Sequence, residues 1–424
     1  MQSTQMKQIL LFLLLATAAT SAQTPARLPK PSVAPPAKSL AAVRDTCSNF
    51  WTLAPSGKGQ RKLLVLPAQA PTVWIEPKIS GAEPGMWSAV RADELGFVWL
   101  TEGVRTFRLD PRKPQLGAVE TMSTPTSIAA QKNWDIVARM PASNHDLTAA
   151  VLHNKFYLGG GLTAEWGFPT SSHAFDELWE LDPKNWRWRV AGRFGRARIY
   201  CATAAFNNKV WIIGGDVIES DGTRHAVTTV QLYDPRSGAI TEGPPNTIAR
   251  PMPMALSANG RLYVVGSAKG EYDRPAQMES IGAGEVSWRR EPHAPHGMGP
   301  LAGAALDGKL YIAVRDKGLM MYDTAAKRWE TIESAAKPRS CQMTAYRGEI
   351  WMPGGRDTAG EDQTWIYSPN DHQWRNGPLL PRPLSWGAAE VVDGKLILTG
   401  GAGSYGKDYL YTDRTFVLRD GKIK

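Results

Sequence analysis

The chain has 424 residues, a formal net charge of +9 and a hydrophobic fraction of 42%. Its 16 Trp, 12 Tyr, 40 Gly and 31 Pro residues favour many short strands separated by turns over long amphipathic helices. Part of the positive charge lies in the N-terminal segment, and no long Lys/Arg stripe with interleaved aromatic residues occurs. The composition therefore argues against a nucleic-acid partner.

The first residues have the pattern of a secretory signal peptide. Lys7 precedes the apolar run 9–16, small residues follow, and cleavage is expected after Ala22. The run is too short to cross a bilayer as a helix, and no later stretch of about 18 apolar residues occurs in the sequence. We therefore expect a signal peptide at 1–22, a Pro-rich basic linker at 23–44, and an exported protein, periplasmic or extracellular, without a transmembrane segment.

A hairpin pattern recurs along the rest of the chain, with its turns 40 to 54 residues apart. Each copy has an apolar segment, a two-residue turn and a second apolar or aromatic strand that ends in small residues. Asn-Gly and Asp-Gly turns suit antiparallel hairpins, because both residues adopt positive φ. The copies are KFYLGGG after His153-Asn154, KVWIIGG after Asn207-Asn208, RLYVVGS after Asn259-Gly260, KLYIAV after Asp307-Gly308, EIWMPGG after Arg347-Gly348 and KLILTGG after Asp393-Gly394.

A variable loop and two further strands follow each hairpin. The third strand ends in an aromatic residue or Leu followed by Asp in several copies, as at Tyr233-Asp234 and Tyr322-Asp323, and a Trp such as Trp329 opens the fourth strand. Four such strands carry apolar residues on both faces, so that one unit cannot bury its own surfaces. The units must stack, and a closed ring leaves few free edges.

The Gly-Gly pair after the second strand, with Tyr and Trp at fixed offsets, resembles the Kelch repeat over residues 130–424. The resemblance implies an all-β, Kelch-type β-propeller, which we assign to residues 45–424. Two copies depart from the pattern, with Gly266-Ser267 and Val314-Arg315 in place of Gly-Gly. An ordinary β-sandwich is the less favoured alternative, because a sandwich has no reason to repeat these spacings.

The sequence leaves the number of blades open between seven, which we favour, and six. Residues 88–114 look like one more degenerate blade, with 133–141 as its fourth strand, and the ring would then be closed by 49–55 from the N-terminal side. In the six-blade alternative, 133–141 closes the ring and 45–125 is a separate appendage. In either case an N-terminal strand must complete the last blade, since 413–422 supplies only a third strand.

The three cysteines do not form an even set of the kind that disulfide-bonded secreted proteins use. Cys201 and Cys341 occupy the same place in first strands three blades apart, which puts them on nearly opposite walls of the channel. Since a disulfide needs Cα atoms within about 7 Å, we predict no bond between them. The state of Cys47 is left open.

The face that carries the long loops after the Gly-Gly pairs is the predicted working face, because function collects on loops held by a rigid scaffold. The connections between blades bring arginines to the same end, where a ring of guanidinium groups would bind an anion, or alternatively pair with neighbouring carboxylates and only tie blades together. Loop aromatics beside carboxylates would grip a sugar ring, or pack only on one another. The predicted ligand-binding residues are Arg198, Arg250, Arg339, Arg382, Trp166, His173, Tyr272 and Tyr405, with Phe168, Tyr409, Asp221, Asp357 and Glu361 nearby.

The resulting functional hypothesis is an exported Kelch propeller that binds a carbohydrate or protein ligand on its loop face. The runner-up follows from a resemblance of the C-terminal segment, 396–423, to periplasmic N-acetylneuraminate epimerases (sialate mutarotases), and implies an isomerase of an anionic sugar with Glu165 or Glu271 as general acid/base. Galactose oxidase is also a Kelch propeller, but the Tyr, Cys and His set of its copper site is not matched here. We expect neither a metal nor another cofactor, and the sequence leaves the oligomeric state open.

Overall fold

A computed structural model describes residues 34–40, 42–44, 49–56, 60–66, 74–76, 89–92, 98–102, 105–110, 113–121, 133–141, 143–162, 174–219, 223–270, 274–297, 302–314, 317–333, 341–355, 362–405 and 408–419. Every regular element in these ranges is a β-strand, as the predicted all-β class requires. None of the described residues forms a helix with the length and apolar character of a membrane span.

Seven strands precede the repeats and form two antiparallel sheets. They are β1 (Val43–Arg44), β2 (Phe50–Pro55), β3 (Arg61–Leu66), β4 (Ala89–Ala92), β5 (Val98–Glu102), β6 (Arg105–Asp110) and β7 (Lys113–Thr121). The first sheet has the order β1-β2-β3 and the second the order β4-β5-β6-β7. Trp51 and Leu53 of the first sheet share a hydrophobic cluster with Val98 and Leu100 of the second. This N-terminal unit thus has a core of its own.

The repeats form six four-stranded antiparallel sheets within the described part of the chain, which we number as blades 1 to 6. Blade 1 comprises β9 (Ala149–Leu152), β10 (Lys155–Gly159), β11 (Glu177–Asp182) and β12 (Arg187–Arg193). Blade 2 comprises β14 (Ala202–Phe206), β15 (Lys209–Ile213), β18 (Val230–Asp234) and β19 (Ala239–Glu242). Blade 3 comprises β20 (Met254–Ala258), β21 (Arg261–Gly266), β22 (Gln277–Gly282) and β23 (Arg289–Glu291).

Blade 4 comprises β24 (Ala302–Leu306), β25 (Lys309–Val314), β26 (Gly318–Asp323) and β27 (Arg328–Ile332). Blade 5 comprises β28 (Thr344–Tyr346), β29 (Glu349–Pro353), β30 (Thr364–Ser368) and β31 (Gln373–Asn376). Blade 6 comprises β32 (Ala388–Val392), β33 (Lys395–Thr399), β36 (Arg414–Leu418) and β8 (Trp134–Arg139). Short extra pairings decorate the loops of blades 2 and 6: β13 (Arg198–Ile199), β16 (Asp216–Ile218), β17 (Arg224–Ala226), β34 (Ala402–Tyr405) and β35 (Asp408–Tyr411).

The first strands of the six blades contact one another in a closed cycle, β9 to β14, β20, β24, β28, β32 and back to β9. The ring is closed by β8, which pairs antiparallel with β36 from Trp134↔Leu418 to Arg139↔Arg414. An N-terminal strand therefore completes the last blade, as predicted.

Residues 49–55 do not complete the last blade, because β2 pairs with β1 and β3 instead. In the described residues the arrangement agrees with the six-blade alternative and corrects the preference for seven. It also places the N-terminal sheets outside the ring, so the propeller begins near Trp134 rather than at residue 45. The sequence interpretation was wrong in assigning 133–141 as the fourth strand that follows residues 88–114. Residues 113–121 supply that strand, which leaves 133–141 free for blade 6.

The Gly-Gly pairs join each blade to the next through the backbone. The second glycine donates its N–H to a carbonyl in the connection that leads into the next blade, at 2.9 Å from Gly161 to Arg198, 3.1 Å from Gly215 to Arg250 and 2.8 Å from Gly401 to Asn144. The last of these bonds crosses the closure from blade 6 to blade 1. A side chain cannot replace the first glycine, because a Cβ at Gly160 would lie 2.4 Å from the Arg198 carbonyl oxygen. The repeated motif thus has a steric cause.

The tryptophans of the fourth strands form a second set of ties between blades. In blades 3, 4 and 5 the indole N–H donates to a carbonyl just after the fourth strand of the preceding blade, at 2.8 Å from Trp288 to Pro244, 3.0 Å from Trp329 to Pro292 and 3.1 Å from Trp374 to Glu333. Trp134 makes the corresponding bond to Leu379 at 3.0 Å. Trp188 of blade 1 donates instead to the Thr415 hydroxyl of blade 6 at 3.0 Å. Since β8 carries the same tie as the fourth strands of blades 3, 4 and 5, its place in blade 6 is that of a true repeat member.

Candidate functional site

The long loops between second and third strands and the connections between blades lie at one end of the propeller, the loop face. Several predicted site residues of this face lie outside the described residues and stay predictions. They are Glu165, Trp166, Phe168, His173, Asp221, Glu271, Tyr272, Arg339, Asp357 and Glu361. The backbone of Tyr405 lies in β34 and that of Tyr409 in β35, and nothing is described of their side chains.

Arg250 holds the connection from blade 2 onto blade 3 and is not an exposed anion ligand. Its side chain is fully buried and donates from Nη1 to Glu279 Oε2 at 2.8 Å and from Nε to the Gly266 carbonyl at 3.2 Å. Glu279 also accepts from the Thr247 backbone N–H at 3.2 Å. A buried guanidinium needs such partners, since an unpaired charge in the interior is costly. The structure therefore corrects the prediction that Arg250 faces a ligand at the channel mouth.

Arg198 repeats this arrangement one blade earlier. It is buried, it donates to the Gly214 carbonyl at 3.3 Å, and it contacts the amide oxygen of Gln231, which takes the register position of Glu279. Its guanidinium also lies 5.1 Å from the centre of the Phe194 ring. Arg382 is buried as well. In the described residues, the side-chain hydrogen bonds of Arg198 and Arg250 lie within the blade that each residue leads into, so these arginines hold the connections between blades in place.

Three residues share one register position in the connections that lead into blades 1, 2 and 6 at the loop face. Asp146, Tyr200 and Trp386 each stand eight residues before the second residue of their hairpin turn, and all three have left-handed φ, at 62°, 56° and 64°. Such backbone is rare for residues other than Gly and marks positions that the surrounding structure imposes, often at functional sites. Blades 6, 1 and 2 thus present a Trp, an Asp and a Tyr side by side.

Tyr200 and Trp386 contact each other edge to face, with ring centroids 6.1 Å apart and planes at 63°. Both belong to a cluster with Leu162, Ile199 and Ile218. Tyr200 is buried, whereas Trp386 remains partly exposed. Of the two rings, that of Trp386 therefore stays partly accessible at the loop face, and Tyr200 supports it from below.

A buried polar pair lies at the same position of blade 1. His145 Nδ1 is 3.2 Å from Asp146 Oδ1, and both side chains are almost completely buried. The N–H of His145 is held by the Leu162 carbonyl at 2.9 Å, and its carbonyl accepts from Leu162 at 3.1 Å. These backbone bonds hold the connection into blade 1 at this position.

The central channel is a cavity of about 340 Å³ lined by the first strands of all six blades. Its wall is made mainly of Ala, Thr, Met and Leu side chains, with one carboxylate, Glu390, among its lining residues. Thr344 Oγ1 donates to Glu390 Oε2 at 3.2 Å across the junction of blades 5 and 6. Burial raises the pKa of Glu390 to about 7, because the channel solvates the carboxylate poorly.

The sequence interpretation did not single out Asp146, Tyr200, Trp386 or Glu390. The sequence signal that could have found them is their position relative to the hairpin turn of each blade. Counting four residues back from the second turn residue gives one side chain per blade, and Glu390 stands where the other blades have Ala150, Ala204, Leu256, Ala304 and Thr344. Counting eight back gives Asp146, Tyr200 and Trp386. The interpretation had examined the loops for chemistry and the first strands only for packing.

The cysteine prediction is confirmed: Cys201 and Cys341 are buried and neither forms a disulfide. Burial raises the pKa of the Cys201 thiol to about 11, and its Sγ contacts the Gly159 carbonyl at 3.2 Å. Cys47 lies outside the described residues. No group of three or more His, Cys, Asp and Glu side chains is placed to hold a metal ion among the residues that the structure describes.

Comparisons with known proteins agree with this architecture. The chain is 24% identical to Kelch-like protein 35 of Mus musculus over 60% of its own length and 42% of that protein, and 22% identical to Kelch-like protein 25 of Xenopus tropicalis over 58% and 43%. It thus spans less than half the length of these relatives. No protein-family profile matches the chain.

A solved structure, that of YjhT, superimposes with a TM-score of 0.53 at 14% identity and covers 67% of this chain and 100% of that one. At this identity the likeness concerns the fold. The repeated sequence motif, the closed ring of four-stranded sheets and these similarities together support a Kelch-repeat β-propeller.

Proposed function

We propose that this chain is an exported Kelch-repeat propeller that binds a carbohydrate on its loop face, at the channel mouth. The observation that carries the proposal is the contact of Tyr200 with Trp386, which places an aromatic surface where three blades meet. Aromatic rings offer sugars a large apolar face together with a polar edge. The predicted loop residues Trp166, His173 and Tyr272 lie outside the described residues, and we expect them to contribute further contacts to the sugar.

Backbone geometry supports a rigid site. The left-handed φ of Trp386 and the hydrogen bond from Leu147 N to the Trp386 carbonyl, at 3.3 Å, fix this connection to blade 1. A ligand that meets a preorganised surface loses less free energy to ordering of the protein. Trp386 is therefore the residue whose replacement should weaken binding most.

Saturation-transfer NMR and calorimetric titration with N-acetylneuraminate, galactose and N-acetylglucosamine test the proposal. We expect at least one of these sugars to bind, and Trp386→Asn to weaken it tenfold or more. Trp186→Asn is the matched control, because Trp186 is also partly exposed with φ near 57° but lies in the turn between β11 and β12, at the opposite end of blade 1. Absence of binding by every sugar, or equal losses in both variants, would contradict the proposal and turn attention to a protein ligand.

Export is proposed from the signal-peptide pattern of residues 1–22. Fractionation of cells that express the full chain should place the protein outside the cytoplasm, with a mature N-terminus after Ala22. Recovery of uncleaved protein in the cytoplasm would argue against this part of the proposal.

Mutarotation of an anionic sugar is the second candidate, supported by the resemblance of residues 396–423 to sialate mutarotases. Its acid/base candidates, Glu165 and Glu271, lie outside the described residues, and Arg198 and Arg250 are engaged in holding the connections between blades. NMR measurement of anomer exchange in N-acetylneuraminate decides between the two candidates. An enzyme should lose exchange in Glu165→Gln or Glu271→Gln, whereas a binding module should not accelerate exchange at all.

A further inference from the structure

The channel opens at the end opposite to the loop face, where the hairpin turns lie. Residues three before the second turn residue are partly or fully exposed in every blade, whereas Leu147, Cys341 and Gly387, four residues deeper, are buried. The six exposed positions are Val151, Ala205, Ser257, Ala305, Ala345 and Val391. Solutes therefore have access from the hairpin end.

Glu390 lies one residue inside this opening and is partly exposed to it. Its hydrogen bond from Thr344 Oγ1, at 3.2 Å, is a bond from a neutral hydroxyl. No Lys, Arg or His pairs with Glu390 among the described residues, in contrast to Glu279 and Glu349, each of which has an arginine partner. A carboxylate in a poorly solvated channel without a cationic partner is a strong attractor for a cation.

We propose that the hairpin end of the channel binds a small organic ammonium ion, with the ammonium group on Glu390 and the alkyl part against the channel wall. Around the channel, the wall includes Ala150 of the neighbouring blade 1 and, on the other blades, Ala204, Met254 and Ala304. A cavity of about 340 Å³ has room for a primary alkylamine of a few carbon atoms. This site is separate from the loop-face site of the proposed function.

Other ligand classes fit the described residues less well. Divalent metal ions need several oxygen ligands, of which the carboxylate of Glu390 is one, and no cluster of three suitable side chains occurs in the described part. Anions would meet the charge of Glu390 in a medium of low dielectric constant. An alkylammonium ion satisfies both the carboxylate and the apolar wall.

The elements around Glu390 set the expected pH dependence. From β28 the facing groups are the Thr344 hydroxyl and Tyr346, whose ring packs on Trp351 at 5.3 Å, and β9 carries no titratable side chain. Lys395 of β33 lies 5.7 Å from the centre of the Trp186 ring, and the Cys341 thiol of the neighbouring blade 5 is buried. The charge at the opening therefore follows Glu390 itself, and the ammonium ion should bind when this carboxyl is deprotonated.

Calorimetric titration and thermal shift with propylammonium chloride test the site, with 1-propanol and NaCl as the neutral and salt controls. At pH 8.5 we expect saturable binding of propylammonium and none of 1-propanol or NaCl. At pH 5.5 the binding of propylammonium should be at least fivefold weaker. Glu390→Gln should abolish it, whereas Glu349→Gln, which removes a carboxylate at the hairpin end outside the channel lining, should leave it unchanged. Propylammonium that behaves like NaCl, or equal binding by Glu390→Gln, would overturn the proposal.

Discussion

Tyr200 of the connection into blade 2 and Trp386 of the connection into blade 6 meet edge to face over the end of blade 1, with ring centroids 6.1 Å apart. Residues 186 positions apart in sequence thus form one surface because the ring returns blade 6 to the side of blade 1. Edge-to-face pairs contribute about 0.5–1.5 kcal/mol beyond their buried area. A double-mutant cycle with Tyr200→Leu and Trp386→Leu, followed by chemical unfolding, should give a coupling free energy in this range. Additive effects of the two substitutions would show that the rings do not interact.

Ring closure by β8 predicts how truncations behave. A chain that begins at Gln131 keeps β8 and should unfold in one cooperative transition, because all six blades are complete. A chain that begins at Ser143 lacks β8, exposes the edge of β36, and should aggregate or melt at least 10 °C lower by circular dichroism. Equal stability of the two chains, or loss of the fold in both, would contradict closure by Trp134–Arg139.

The ion pair of Arg250 with Glu279 predicts a stability effect rather than a direct effect on binding. Removal of one partner from a buried pair costs about 3–5 kcal/mol of unfolding free energy, because the other charge stays buried without compensation. We therefore expect such a loss in Arg250→Met, with partial recovery in the double variant Arg250→Met/Glu279→Leu. Arg196→Met is the control, since its pair with Glu219 is exposed and should be worth less than about 1 kcal/mol. A stable Arg250→Met that has lost only ligand affinity would restore the anion-binding hypothesis.

Two glycines with positive φ separate steric from conformational effects. Gly238 and Gly401 have φ of 72° and 93°, yet a Cβ at Gly238 meets no atom within 4 Å, whereas one at Gly401 lies 2.6 Å from the Ser385 carbonyl oxygen. Gly238→Ala should cost about 1 kcal/mol for the left-handed backbone alone. Gly401→Ala adds a collision with backbone and should cost at least about 3 kcal/mol, measured by urea unfolding. Similar costs at both positions would refute the steric account of the Gly-Gly motif.

Glu390 predicts a pH dependence of stability with a definite sign. Its pKa in the folded chain is about 7, above its value in the unfolded chain, so the folded state holds more protons between about pH 4.5 and 7. Deprotonation of Glu390 therefore destabilises the fold as the pH rises through this window. The effect of Glu390→Gln on the unfolding free energy should therefore differ between pH 8 and pH 4.5. Allowing for solvent in the channel, the substitution should be more stabilising at pH 8 by about 2 kcal/mol. A difference that is independent of pH would contradict the raised pKa.

The sequence predicted the fold well because its strongest signals were local. Turn pairs such as Asn259-Gly260 require positive φ, and the Gly-Gly pairs and fourth-strand tryptophans have single structural causes that repeat in each blade. The number of blades depended on a non-local choice, whether 133–141 follows residues 88–114 or returns to pair with β36. Nothing in the local pattern decides between two partners for one strand.

The site was harder to predict because register and burial determine it. Arg250 has the composition of an anion ligand, and only its pairing with Glu279 inside the repeat shows that it is a structural residue. Trp386 and Glu390 lie near first strands that alternate small and apolar residues, and they acquire their surroundings from five other blades. The acid/base roles of Glu165 and Glu271 remain predictions.

Hydrogen–deuterium exchange of the full chain, with and without a saturating sugar, tests the central claim that the loop face at the channel mouth is the binding site. The account predicts slower exchange in peptides that contain Tyr200 and Trp386, and unchanged exchange in the hairpin turns near Asn154 and Asn208. Protection confined to the hairpin end, or no protection with any sugar, would contradict it.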